Sequence, residues 1–346
     1  MKKLILFIGT PLLLIIIAGA ALYNTAVGQD FLIERLAKLG TSQKAIDPEG
    51  LNVIVCGSAS PLGNDPNRAQ ACIAVVTPEH FFLFDIGDRA PLRIAQGRLP
   101  VARLNGIFLT HFHSDHIAGV PSVNMNSWIQ GRDSELKVYG PQGVETVVSG
   151  FNTAYQLDKT YRTAHHGADL LPAATAAMNP ITLTPGVAFQ DVNIKITAFP
   201  VDHAPIDPAM GYRVDYKGRS VVISGDTVST QSLFIAAKDA DLLLHDALSE
   251  PALAAVIAAM KASGNDRTAA IVSDVHDYHA HSTNLEAQSK KAGIKQLAFY
   301  HFVPVPTMPL IEKIFKRGIS DDVIFTKDLM TFQMLPNSEE IIVTEP

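Results

Sequence analysis

Apolar residues in this chain fall into short, closely spaced runs separated by turn-forming and polar residues. Strand-like runs recur at residues 51–56, 72–76, 81–86, 107–109, 136–139 and 192–196. Residues 212–216 and 220–224 flank Lys217-Gly218-Arg219, the pattern of a hairpin. Helical spacing appears at residues 31–39, where Gly40 stops it, and at 229–238, 251–261, 284–292 and 309–316. Strands gather at the start and middle, with helices interspersed. That order predicts an α/β (α+β) domain with two sheets, each covered by helices. No repeat or low-complexity tract interrupts it.

The N-terminus has a different pattern. Met1-Lys2-Lys3 precedes an uncharged, largely apolar run over residues 4–22. This run nearly reaches the roughly 20 residues a helix needs to cross a bilayer. A positive start before an apolar stretch also begins a secretory signal, and Ala18-Gly19-Ala20 offers a cleavage site. The length of the run favours an uncleaved anchor, and both readings stay open. With Lys2 and Lys3 on the cytoplasmic side, the rest of the chain would be extracytoplasmic (periplasmic), held at the inner membrane. The expected division is an anchor or signal over residues 1–25, a linking helix over 26–50 and a globular domain over 51–346.

Composition narrows the choice of partners. The 346 residues are 47% hydrophobic and carry a formal net charge of −6. These values suit a protein with a sizeable core and give no sign of the basic face that nucleic-acid binders present. The expectation is therefore no nucleic-acid partner. Cys56 and Cys72 are too few for a disulfide framework or a thiolate zinc site. They lie on two neighbouring strand-like runs. In an oxidising compartment they could bridge; otherwise they are small buried residues.

The candidate chemistry begins at Thr110-His111-Phe112-His113-Ser114-Asp115-His116, directly after an apolar run. Imidazoles and carboxylates are the usual ligands of zinc and similar divalent ions. Four later apolar runs end in Val201-Asp202-His203, Ser224-Gly225-Asp226-Thr227, His245-Asp246 and Tyr300-His301. Strand ends would bring such residues to one rim. His165-His166, after Tyr155, Tyr161 and Arg162, either lines a substrate pocket or belongs to an ordinary surface helix.

With these motifs in this order, the chain resembles the metallo-β-lactamase-fold hydrolases over residues 51–302. It looks most like the branch that contains ribonuclease Z and the zinc-dependent arylsulfatases. The resemblance implies a four-layer αββα sandwich with two zinc ions, or manganese or iron in their place, at one edge between the sheets. Carried over residue by residue, His111, His113 and His203 would hold one ion. Asp115, His116 and His301 would hold the other, and Asp226 would bridge both. Asp115 also counts among the catalytic groups. Asp85, in Asp85-Ile86-Gly87-Asp88, matches a carboxylate that orients the histidine loop. Asp246 and His281, the latter in His281-Ser282-Thr283, match the pair that delivers a proton to the leaving oxygen, with His279 as the competing donor.

Two cations sharing a water would lower its pKa and direct hydroxide at phosphorus, sulfur or a carbonyl carbon. His113 stands where flavodiiron oxidoreductases carry Glu, which disfavours a redox role. Ribonuclease Z carries a glycine-rich, basic tRNA-binding arm between the first and third histidine motifs. Here that interval holds Ala173-Ala174-Thr175-Ala176-Ala177 and few cations. The expected activity is hydrolysis of a small-molecule phosphodiester or sulfate ester. A lactonase and a ribonuclease Z-like tRNA 3′-end endonuclease are the alternatives. A homodimer is a candidate assembly.

Overall fold

The structure, a computed structural model, describes residues 18–41, 49–63 and 65–346. The chain divides into two compact units, Met1–Asp47 and Pro48–Pro346. In the first, residues 18–24 and Ala26–Thr41 are helical, the latter enclosing the helix expected at 31–39. Most of the expected anchor, residues 1–17, lies outside the described residues, as do residues 42–48 of the linking segment. Among the described residues no helix is long and apolar enough to cross a membrane, so the expected membrane helix finds no support there.

The second unit contains two sheets. The strands are β1 (Leu51–Gly57), β2 (Cys72–Val76), β3 (Phe81–Phe84), β4 (Gly106–Phe108), β5 (Leu136–Gly140), β6 (Met178–Thr182), β7 (Gly186–Gln190), β8 (Ile194–His203), β9 (Ile206–Tyr216), β10 (Arg219–Ile223), β11 (Leu242–Leu248), β12 (Gln296–Val303), β13 (Ile324–Phe325), β14 (Thr331–Met334) and β15 (Ile342–Thr344). One sheet has the order β15-β14-β1-β2-β3-β4-β5-β6, the other β13-β12-β11-β10-β9-β8-β7.

The apolar runs supply both faces of these sheets. Val53, Val55, Ile73, Val75, Phe82 and Phe84 of the first sheet pack with Val221, Ile223, Leu242, Leu244 and Ala298 of the second. The intervening Val222, Leu243 and Phe299 point the other way, onto helix residues Leu233, Leu285 and Phe315. Alternate residues face opposite sides of a strand, so an unbroken run means that both sides are covered. Each fully buried side chain of this kind contributes about 1.5–3 kcal/mol. Against the outer side of the first sheet, the helix Val144–Ala154 packs on β5 and β6. The result is the expected αββα arrangement.

Several elements escape the sequence pattern. β6 and β7 are short and half-exposed, and β13 and β15 are brief edge strands. β8 and β9 extend through Pro200 and Pro208, residues that ordinarily argue against a strand. That extension carries His203 to the rim.

Cys56 and Cys72 are bridged. Val55 pairs with Ile73 and Gly57 with Cys72, which leaves Cys56 as the extra residue of a bulge beside its partner. Gly57 follows where any Cβ would collide with the Gln70 carbonyl. The bridge joins residues 16 apart in sequence, and a loop of that size stabilises by about 3 kcal/mol in the chain-entropy account. Cys56→Ala/Cys72→Ala should lower the denaturant midpoint by a corresponding amount. A reductant should reproduce the loss in the unaltered protein and have no effect on the variant.

Candidate metal centre

The centre is assembled on Asp85. β3 ends at Phe84, and Asp85 turns into the left-handed region at φ 53°. Its buried carboxylate accepts the Thr110 backbone N–H, the Thr110 hydroxyl and His116 Nδ1–H, each at 2.8 Å. The left-handed backbone costs roughly 1–2 kcal/mol, whereas each hydrogen bond to a charged group contributes about 1.5–3 kcal/mol. The bonds therefore outweigh the strain, and they fold the loop after β4 onto the end of β3.

This loop delivers His111 and His113, and the end of β8 delivers His203. His111 Nε2 lies 3.0 Å from His113 Nδ1, and His203 Nε2 lies 3.4 Å from the same atom. His203 Nδ1 is 2.9 Å from the Tyr278 carbonyl, which fixes Nδ1 as the protonated nitrogen and leaves Nε2 with a lone pair. His113 is exposed, while His111 and His203 are buried.

Asp115, His116, Asp226 and His301 form an adjoining, fully buried group. His301 Nε2 is 3.1 Å from Asp115 Oδ2, and His116 Nε2 is 3.2 Å from Asp226 Oδ2. Asp226 Oδ2 also lies 4.0 Å from His203 Nε2, so this carboxylate touches both groups. Two backbone devices aim these residues. Gly225, at φ 66°, turns the chain where an added Cβ would sit 2.9 Å from Thr110 Cβ. His301, at φ 47°, is the extra residue of a bulge: Asp246 pairs with Tyr300 and Ala247 with Phe302.

The donors fit divalent metal. His116 Nε2, His301 Nδ1 and Asp226 Oδ1 are buried and make no well-formed hydrogen bond with protein groups, although they lie close together. Buried polar atoms require partners, and a cation among them would satisfy all three. Burial lowers the pKa of His111 well below the ordinary imidazole value, and His116 lowers it further. Burial likewise lowers His113 and His203. These three rings are therefore neutral at neutral pH, the form that binds metal. In the second group burial also pushes His116 and His301 down, but attraction led by Asp226 outweighs it and raises both. Burial favours protonation of Asp115 and Asp226, yet His116, with His301, holds both carboxyls below the usual range.

A cavity of about 230 Å³ opens onto the centre, lined by His113, Asp115, Asp226, His301, Tyr278 and His279 among others. His279 is buried, its ring centroid 5.5 Å from that of His301, and its Nδ1 is 2.9 Å from Asp246 Oδ2. Burial pushes Asp246 up, but hydrogen bonds from His245 and His279 hold it below its ordinary value. The expected pairing of Asp246 with His281 is therefore corrected: His279 occupies that position. His281 lies beside Glu250 instead, with Nδ1 3.6 Å from its carboxylate. Tyr278 and the Ser60-Pro61-Leu62 wall carried no sequence signal.

The remaining candidates stand apart from the cavity lining. Tyr161, Arg162, His165 and His166 belong to the helix Gln156–His166. There Arg162 pairs with Asp158 at 3.0 Å, and Lys159 donates to Asn152 at 3.0 Å.

Comparison with known proteins gives this geometry a family. The family model for the beta-lactamase superfamily domain matches residues 83–302. Ribonuclease Z of Mycobacterium bovis (strain BCG / Pasteur 1173P2) is 33% identical over 257 residues, covering 73% of this chain and 86% of the relative. The metallo-beta-lactamase fold protein YhfI from Bacillus subtilis superposes with a TM-score of 0.58 at 18% identity, covering 82% of this chain and 99% of its own. The short form of human tRNase Z superposes at 0.56 and 21% identity, covering 81% and 98%. Relatives named for RNA cleavage overturn the expectation of a small-molecule ester substrate and no nucleic-acid partner. Net charge and a cation-poor arm bear on affinity for a polyanion; they do not bear on the chemistry of the centre. Matched by the family model over most of its globular unit and by curated relatives at this identity, the chain belongs to the metallo-β-lactamase superfamily, in its ribonuclease Z branch.

Proposed function

We propose that this protein is a metal-dependent phosphodiesterase that cleaves RNA at the 3′ end of tRNA precursors. The observation that carries the reading is the 33% identity to ribonuclease Z across 86% of that relative, together with seven donor side chains gathered in two adjoining groups, of which His113, Asp115, Asp226 and His301 line one cavity. His111, His113 and His203 would hold one ion; Asp115, His116 and His301 would hold a second; and Asp226 would serve both. Bound there, divalent ions supply an activated water and neutralise charge on the phosphoryl group.

The chain's own residues do the rest. Asp85 keeps His116 Nδ1 protonated, so Nε2 faces Asp226 as a ligand atom. Asp246 fixes Nδ1 of His279 in the same way, which leaves Nε2 of this cavity-lining ring to carry a proton to the departing ribose oxygen.

Location is a separate proposal. The Cys56–Cys72 bridge and the apolar run at residues 4–22 favour an oxidising compartment outside the cytoplasm; tRNA precursors are made in the cytoplasm, so a chain placed outside would turn the same phosphodiesterase chemistry on released RNA instead. A reporter fused after Pro346 should be active only outside the cytoplasm. Cytoplasmic activity alone would remove this placement and leave the phosphodiesterase reading untouched.

The activity test is incubation of the full-length, zinc- or manganese-loaded protein with a tRNA precursor carrying a 3′ trailer, followed by mapping of the new ends. Cleavage that disappears in Asp226→Ala, along with bound metal, is expected. An intact precursor at full metal loading would refute the reading. His279→Ala should retain its metals and lose turnover by ~10²–10⁴-fold, the usual worth of a positioned acid. His281→Ala should lose far less; equal losses would restore His281 as donor. His116 is raised well above the ordinary imidazole value and His301 is raised as well, so the metal-free second group holds protons more tightly than free imidazoles do. Metal must displace these protons, so calorimetry in buffers of differing ionisation enthalpy should show net proton release. Affinity should also weaken as pH falls.

A further inference from the structure

Among the described residues, three groups of side chains bring metal-ligating atoms within 4.8 Å of one another. Two of them make up the centre. The third is Glu250, His276 and His281, and nothing above assigns it a task. Its members come from three backbone elements. Glu250 opens the helix Glu250–Ala262, His276 sits in the 3-10 turn Val275–Asp277, and His281 precedes the helix Ser282–Lys291.

Ordinary interactions account for only part of this cluster. A glutamate in the first turn of a helix is favoured by the helix dipole. His276 Nδ1, 2.8 Å from Glu250 Oε2, makes an ordinary charge-assisted contact. His281 Nδ1 lies near the same oxygen but stops at 3.6 Å, beyond hydrogen-bond reach. Two imidazole nitrogens and one carboxylate oxygen thus converge without bonding fully to one another. Two His and one Glu is a ligand set that zinc accepts with water in the remaining position. Side-chain exposures of 24% for His276, 41% for His281 and 53% for Glu250 leave room for that water.

We propose that Glu250, His276 and His281 form a third divalent-metal site, of the zinc class, which clamps the segment between its two histidines. That segment carries Tyr278, whose carbonyl accepts from His203, and His279, which is held by Asp246. Ala280 ties it down further, its carbonyl accepting from the Leu248 N–H at 2.8 Å and its N–H donating to Asp246 Oδ2 at 3.4 Å. An ion joining residues 276 and 281 to the start of a separate helix would close a short loop around both active-site contacts. The ligand set does not depend on the phosphodiesterase reading; only the consequence for His279 does.

The test is zinc binding to the chelator-stripped full-length protein by equilibrium dialysis, in the unaltered chain, Glu250→Gln and His276→Ala. The unaltered protein should bind one equivalent more than either variant. The same difference of one should persist when all three are placed on an Asp226→Ala background. That comparison separates failure of this site from failure of the central one. Filling the extra equivalent should slow hydrogen exchange at residues 277–280 at least tenfold, and should not do so in Glu250→Gln. Equal stoichiometry in all three proteins would overturn the site. An extra equivalent without slowed exchange would overturn the clamp.

Discussion

One carboxylate holds this centre in register. Asp85 is buried and left-handed, and it accepts three hydrogen bonds that would otherwise be lost inside the protein. Through Thr110 it sets the path of the loop that bears His111 and His113. Through His116 it sets which ring nitrogen faces the second group. His203, Asp226 and His301 arrive from the opposite sheet on a strand end or bulge, so the centre forms only where the two sheets meet correctly. The apolar faces bring the sheets together, and Asp85 decides what that contact presents at its edge.

The centre is also an electrostatic compromise. Five histidines and two aspartates, all but His113 shut away from water, repel and attract one another at distances near 3 Å. Three rings respond by staying neutral and two by pairing with carboxylates. Neither state satisfies the orphaned nitrogens and oxygen at the heart of the site. That residual dissatisfaction is a stronger sign of metal than ligand identity alone, because a purely structural cluster would have closed its hydrogen bonds.

Much of this was legible in the residues. The histidine loop announces itself by ligand density, and His203, Asp226 and His301 by their place at the ends of apolar runs. The two-sheet architecture follows from the strand runs with helices between them. What the sequence hid depends on long-range contact. His279 and His281 are two positions apart, so local pattern cannot choose between them. The choice is made by Asp246, 33 residues upstream of His279 and itself fully buried. Glu250 and His276 look like surface residues until folding brings them to His281. The strand extensions through Pro200 and Pro208 are likewise set by pairing across β8 and β9, against local preference. Substrate was least legible, because the cation-poor arm spoke only to binding strength.

The pairing of β1 with β14 has a consequence for how the chain is made. Leu51 lies opposite Met334 and Ile54 opposite Thr331, so nearly the whole globular unit separates two adjacent strands. A ribosome must finish almost the entire chain before the first sheet can acquire that neighbour. Until then β1 is an open edge rich in Val and Ile, the kind of surface that recruits other strands. Loop closure over such a distance also slows folding. The antiparallel neighbour β2, whose Cys72 is only 16 residues from Cys56, gives the waiting strand a local companion during that interval.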